Sequence, residues 1–391
     1  MKPALLYPVF SDRPTEQEIF RARVFSEPLV PVGPTTAEEN RGLADAITSY
    51  LQNRKSEDLG AIEAFLKDHP GSGWRASLLT NAGLLWRRLA YFTRAERALH
   101  EAWDLAKGAE DAHGKATADR ALGELLDIHM AFGRVAPLED LLKEVEGRDM
   151  RGAAAERVQD AKGTVWVLRE KHEMALPSGP IALQQILHQL RPGQPPNKVL
   201  AGFHADANGA TLPEMQSLAR KAGMNLQMAF RPSGLDVTPE GKPLSLNIPT
   251  PSMVHLKAGH FGALVEVRND RVRLDDPLLG GEIWMTRRAL EEEASGYFLI
   301  PDGLLPRGWR VAEARETEQI RGKCLALLVD LLLGPLCGKR QGGNGGCSGG
   351  DCPPMVTYSF HTALASLILT DTPVGYTPPR GPEVAFQVVY N

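Results

Sequence analysis

The sequence predicts an α+β protein with an N-terminal helical domain, a second domain of mixed helices and strands, and a short C-terminal β segment. Three observations carry this. From Thr36 onward apolar residues recur with a helical period of about 3.6 residues, through Leu51 and again across Trp74 to Leu142. Between Met253 and Asp276 the pattern changes to short β-rich runs, MVHLKA, HFGALVEV and RVRLDD, with Asn269-Asp270 as a two-residue hairpin connection. After a Gly-rich stretch, GGNGGCSGGDCPP, the last residues alternate and are rich in β-branched side chains. The expected boundaries are an extended Pro-rich arm over 1–36, helices over 37–165, the mixed domain over 166–305, a helix and linker over 306–353, and β structure over 354–391.

Each element has a local reason. The arm lacks helical periodicity and is expected either to lie over its neighbour or to be partly disordered. TTAEE offers a Thr36-x-x-Glu39 capping box for the first helix. Ser56 is placed to cap a second helix, which stops near His69-Pro70-Gly71. In Trp74 to Lys107, small residues at Ala82-Gly83, Ala90, Ala95 and Ala102 alternate with Trp86, Tyr91 and Leu99. That spacing suits two antiparallel helices in close approach and resembles a tetratricopeptide repeat. A weaker copy surrounds Leu126, His129, Gly133, Leu138 and Leu142. The plain alternative is a helical bundle packing on its neighbour.

In the mixed domain, Ser178 opens an apolar helical run through Leu187 and Leu190. Thr211 caps TLPEMQSLARKAGM, which closes at Gly223. TRRALEEEASGYFLIP supplies a short helix and a closing strand. Beyond it a helix is expected from about Ala312 to Leu336. Its apolar part, Leu325 to Leu336, is shorter than the roughly 20 residues a membrane span needs.

Composition narrows the function. With 44 Lys and Arg against 48 Asp and Glu, the net charge of −4 gives no basic surface for nucleic acid. No signal peptide precedes Pro8, so the compartment stays open between the cytoplasm and signal-independent export. No glycine-rich phosphate loop follows a strand, and no cofactor is expected. Cys324, Cys337, Cys347 and Cys352 lack a zinc-site spacing. Free thiols are the default, with a Cys347–Cys352 loop as the oxidised alternative. His204 and Asp206 in a Gly-rich loop are two solvated side chains rather than a metal site.

The chemistry lies in three separated residues. Ser178 sits where a helix N-terminus offers partial positive charge, the environment that stabilises a thiolate. His260 starts a strand that faces this helix, and Asp276 ends the next strand, one hairpin away. Asp275 is expected on the opposite face by strand alternation. Nucleophile, base and orienting carboxylate are the parts of a covalent hydrolase site. The groove between the Ser178 helix and the His260 strand is the expected pocket.

SGPIAL, the TLPEMQSLARKAGM helix, AGHFGALVEV and LDDP, in this order over about residues 168–304, resemble the bacteriocin-processing, double-glycine leader cysteine peptidases of papain-like fold. The resemblance implies that Ser178 stands at the catalytic Cys, His260 at the catalytic His and Asp276 at the orienting Asp. His172 then stands where the family has its oxyanion-hole Gln, and a neutral imidazole can donate there. Ser in a thiolate site implies a weak or inactive enzyme. Four readings of Ser178 stay open: a Cys→Ser exchange made in an active peptidase, a degenerate domain that still binds peptides, a Ser-His-Asp hydrolase, and a plain N-cap.

The final stretch, YSFHTALASLILTDTPVGYTPPRGPEVAFQVVYN, is similar to the segment preceding the β-shell of RHS/YD-repeat proteins, which include polymorphic toxins. That likeness implies a YD-repeat shell as partner. The expected function is cleavage or binding of a peptide segment, in cis or in trans; the alternative is a non-catalytic peptide-binding or assembly module.

Overall fold

A computed structural model describes residues 8–53, 58–150, 152–170, 175–206, 209–234, 246–322, 326–327, 357–361, 366–376 and 384–390. The chain divides into two compact units, residues 1–128 with 140–159, and residues 129–139 with 160–391.

The first unit is built from α1 (Glu16–Ala22), α2 (Ala37–Gln52), α3 (Gly60–Asp68), α4 (Arg75–Arg88) and α5 (Phe92–Ala106), with parts of α6 (Ala112–Ala131), α7 (Val135–Glu144) and α8 (Gly152–Glu170). The Thr36–Glu39 capping box opens α2 as expected. An identical box, Thr15 with Glu18, opens α1 inside the arm expected to be free of helix. Two satisfied first-turn donors are enough for two turns once Ile19 is buried. Among its described residues, the arm lies against α4 at Glu27 and Val30. Val30 N–H donates to Ser77 Oγ at 3.3 Å and Glu27 N–H to Asn81 Oδ1 at 2.9 Å. Helix α3 begins after Leu59, and Ser56 lies outside the described residues.

Helices α4 and α5 pair as the small residues require. A Cβ on Gly83 would stand 2.5 Å from Leu99 Cγ, so any larger residue would push the two helices apart. Beneath them, the Glu124 and Asp127 carboxylates of α6 meet Arg87 of α4 and Arg157 of α8, and Glu124 also meets Arg120. Glu124→Ala should destabilise the chain by about 3 kcal/mol, because three guanidiniums lose a shared buried partner. Urea unfolding followed by helical circular dichroism checks this.

The second unit is an α+β layer. In chain order it holds β1 (Ala175–Leu176), α9 (Ser178–Leu190), α10 (Lys198–Ala201), β2 (Ala210–Thr211), α11 (Leu212–Lys221), β3 (Leu226–Phe230), β4 (Ser252–Leu256), β5 (His260–Arg268), β6 (Arg271–Asp276), β7 (Gly281–Thr286), α12 (Arg287–Glu293), β8 (Ala294–Pro301), β9 (Arg310–Val311), α13 (Ala314–Thr317), β10 (Arg321–Gly322) and β11 (Ala326–Leu327). Seven strands form one antiparallel sheet in the order β7-β6-β5-β4-β8-β3-β9. Ala182, Leu183, Ile186 and Leu187 of α9 and Leu212, Met215, Leu218 and Ala219 of α11 bury a helical stripe against Met253, Phe261, Ala263 and Leu299 of the sheet. The Thr211–Glu214 capping box starts α11, and Gly223 at φ +80° ends it. Asn269 at φ +55° turns β5 into β6 with Arg268 paired to Arg271, the expected two-residue hairpin.

Where the helix expected from Ala312 to Leu336 is described, at residues 312–322 and 326–327, shorter pieces stand in its place. Helix α13 is a single turn, Gly322 lies in β10, and Ala326–Leu327 form β11, paired with β1. A short apolar run does not by itself distinguish helix from strand, and here main-chain pairing decides. Residues 328–356 and all four cysteines lie outside the described residues. A separate antiparallel sheet follows, β12 (Thr357–His361), β13 (Ser366–Tyr376) and β14 (Val384–Tyr390), in that order.

Candidate functional site

Ser178 is the first residue of α9, after the N-cap Pro177. Its side chain caps nothing; Oγ accepts the Phe261 N–H at 3.0 Å. This contact ties the start of α9 to the start of β5 and removes the plain N-cap reading. Gly179 follows because α11 leaves no room: a Cβ there would stand 2.0 Å from Met215 Sδ. The N–H groups of Ser178 and Gly179 belong to the first helical turn, where no intrahelical carbonyl can accept them, and Pro180 brings no N–H of its own.

Strand alternation sets the other two side chains. On β6, Val272, Leu274 and Asp276 share the buried face and Asp275 turns to the other. On β5, His260 and Gly262 share a face, and a Cβ on Gly262 would lie 2.5 Å from Leu274 Cδ1 and 3.8 Å from Asp276 Oδ2. Glycine there lets β6 bring its carboxylate to the imidazole. His260 Nε2–H donates to Asp276 Oδ2 at 2.6 Å, while Asp276 Oδ1 accepts the Leu278 N–H at 2.9 Å. The carboxylate therefore fixes the ring orientation and puts the NH at Nε2. His260 Nδ1 is buried and has no hydrogen-bond partner among the described residues. Ser178 Oγ and His260 are thus neighbours through Phe261 but not bonded to each other.

The groove expected beside these residues is closed. Ser178 is 1% exposed, His260 0% and Asp276 2%. Phe132 stands edge-on to the His260 ring, centroids 5.5 Å apart, and Arg134 anchors the same stretch by donating to Ala258 O at 3.3 Å. Gly322 covers the hydroxyl: a Cβ on it would lie 2.8 Å from Ser178 Oγ. His172 lies outside the described residues.

One residue of the site was not anticipated. His255 on β4 sits opposite Phe261 on β5. Its Nε2–H donates to Arg321 O at 2.9 Å, and its Nδ1 takes the Ser295 hydroxyl at 2.9 Å. The signal was the Lys257-Ala258-Gly259 loop: a three-residue hairpin with Gly259 at φ +80° fixes Leu256 opposite His260, and hence His255 opposite Phe261. Burial pushes the His255 imidazole down to about 4, with the neighbouring His260 acting in the same direction against the hydrogen bond to Arg321. A folded-state value below the unfolded one means the unfolded chain takes up the proton first as pH falls. Stability is intact above about pH 6.5 and is lost between there and pH 4. At pH 5 the loss should be about 2 kcal/mol relative to pH 7. His255→Gln should abolish this part of the slope, measured by denaturant-dependent hydrogen exchange of β4 and β5.

Among the described residues no group of three His, Cys, Asp or Glu side chains could hold a metal, and no helix is long and apolar enough to cross a membrane. Asp206 faces the Arg321 guanidinium at 3.5 Å.

The family model described as the Peptidase C39 family matches residues 171–303, about a third of the chain. That stretch contains Ser178, His260 and Asp276. A solved structure of a double glycine motif protease from an AMS/PCAT transporter, in complex with the leader peptide, is similar at 19% identity over 32% of this chain and 84% of that chain, with a TM-score of 0.26. No curated protein matches the sequence.

Proposed function

We propose that residues 171–303 form a peptidase-type domain that holds a peptide main chain across the N-terminus of α9, with Ser178 in the nucleophile's place, His260 as base and Asp276 as the group that orients it. The observations that support this reading are the buried His260–Asp276 pair and the Phe261 N–H bond to Ser178 Oγ, which ties the residue after His260 to the start of α9. With a thiol at position 178, Nδ1 would take its proton, and the thiolate would add to a peptide carbonyl. The resulting oxyanion would be met by first-turn N–H groups, with His172 as a further donor. The imidazolium would then protonate the leaving amine, and water would release the acyl group as a carboxylate.

With Ser in place, one observation favours binding over turnover. The hydroxyl is hydrogen-bonded to Phe261 N–H and not to the base. A pseudo-peptidase that grips a peptide is therefore the second reading. In both, the helices of the first unit form a TPR-like partner surface, and the C-terminal β segment docks a YD-repeat shell through the outer edges of β12 and β14.

The test is Ser178→Cys with and without His260→Ala, incubated with a proteome-derived peptide pool and read as new N-termini by mass spectrometry. Cleavage that appears with Ser178→Cys and disappears when His260→Ala is added supports hydrolysis; equal cleavage in both variants removes it.

A further inference from the structure

The segment after α13 crosses the start of α9 in a particular way. Before the crossing, β10 pairs antiparallel with β2, Arg321 with Thr211 and Gly322 with Ala210. After it, β11 pairs antiparallel with β1, the two residues that precede Pro177-Ser178. Neither pair belongs to the seven-stranded sheet. Leu212 N–H donates to Ile320 O at 2.9 Å, His255 Nε2–H to Arg321 O at 2.9 Å, and the Arg321 guanidinium to Gly209 O at 3.2 Å. Ile320 packs, half-buried, against the α9–α11 core. At the centre is Gly322, whose missing Cβ would lie 2.2 Å from Phe261 Cδ2 and 2.8 Å from Ser178 Oγ.

We propose that this segment is a peptide bound in cis: the chain's own Ile320–Gly322 occupies the peptide-binding groove, with Gly322 set against the nucleophile position. The proposal rests on the peptidase-type reading above and names the occupant of that site. Three features fit a docked peptide better than a further core strand. The segment lies beyond the matched residues 171–303. It is held mainly through main-chain atoms, the sequence-tolerant mode by which grooves capture extended peptides. Its side-chain requirements are two: Ile320 packs on the α9–α11 core, and at Gly322 a Cβ would meet the Phe261 ring at 2.2 Å.

A cis occupant competes at an effective concentration of the order of millimolar. A fluorescent peptide spanning residues 312–323, AEARETEQIRGK, should therefore bind wild-type full-length chain poorly. It should bind the Gly322→Val full-length chain at least about tenfold more tightly, because that chain cannot seat its own segment. The same peptide carrying Val for Gly should bind neither. Ile320→Asp, which withdraws the apolar anchor, serves if Gly322→Val fails to fold. Hydrogen exchange on the wild type provides a second measurement: the amides of 320–322 and 212 should open together, and before β5. A folded Gly322→Val or Ile320→Asp chain that binds the peptide no better than wild type would overturn the proposal, as would 320–322 amides exchanging only with the whole sheet. If Ser178→Cys cleaves pool peptides while the 312–323 peptide fails to bind, the cis occupant falls and the peptidase reading stands. If the peptide binds but nothing is ever cleaved, hydrolysis falls and the occupant stands.

Discussion

Peptide hydrolysis by the Ser178→Cys chain should exceed that of the wild type by about 10⁴- to 10⁶-fold, the range set by what losing a nucleophile costs a protease. The argument is local. The position lies at the N-terminus of α9, a helix of 13 residues, where the helix dipole and the first-turn N–H groups favour an anion. A thiol in such a place ionises near neutrality, whereas a Ser hydroxyl does not. The Phe261 N–H that now occupies Ser178 Oγ would hold a sulfur weakly, since thiol sulfur is a poor acceptor. His260 Nδ1 lacks a hydrogen-bond partner among the described residues and is free of competing bonds there. Rates of the two chains on one peptide, with Ser178→Cys/His260→Ala as the blank, check this. In a Ser178→Cys/Gly322→Val chain, which cannot seat its own segment, a rate within about tenfold of wild type would mean that the imidazole does not serve position 178.

How much of this was legible depends on the range of each interaction. Ser178, His260 and Asp276 could be set on a helix start, a strand start and the adjacent strand's end because strand alternation and a two-residue turn are local rules. The same rules put Asp275 on the opposite face. His255 was equally accessible, through the three-residue loop ending at Gly259, but only once that loop is recognised as a hairpin. Thr15-x-x-Glu18 carries the same signature as Thr36-x-x-Glu39, yet the prolines around it obscured a helix of seven residues. Phe132 and Gly322 are different in kind. They reach the site from the stretch after α6 and from beyond β9, and no local pattern states that a ring will stand on His260 or that a glycine backbone will cover Ser178. The apolar stretch after Cys324 suggested a helix by its length alone; its two described residues, Ala326 and Leu327, pair with β1 instead. Closure of the groove was therefore invisible in the sequence, although the constellation beneath it was not.

The sharpest test of the constellation is Asp276→Asn, measured in the Ser178→Cys background. Asp276 uses both oxygens as acceptors, Oδ2 for His260 Nε2–H at 2.6 Å and Oδ1 for Leu278 N–H at 2.9 Å. Asparagine has the same shape but one acceptor and one donor. The Leu278 N–H is fixed by the main chain and cannot invert its demand, so the amide oxygen is drawn to it. The NH₂ group then faces Nε2. A fully buried imidazole can answer an opposing donor by moving its own proton to Nδ1, and that nitrogen ceases to be a base. The expected result is a drop in hydrolysis of about 10³- to 10⁴-fold, as for a triad whose orienting carboxylate becomes an amide. Folding should suffer little, because the Leu278 N–H and His260 Nε2 both keep a partner and no cavity opens. Asp276→Ala should behave in the opposite proportion. It strands two buried donors and should cost about 2–4 kcal/mol, while the ring keeps no enforced tautomer. Comparing the two variants by rate and by urea midpoint separates orientation of the base from support of the fold. If Asp276→Asn retains the Ser178→Cys rate, the carboxylate holds β6 to the turn at Leu278 and has no part in setting the proton on His260.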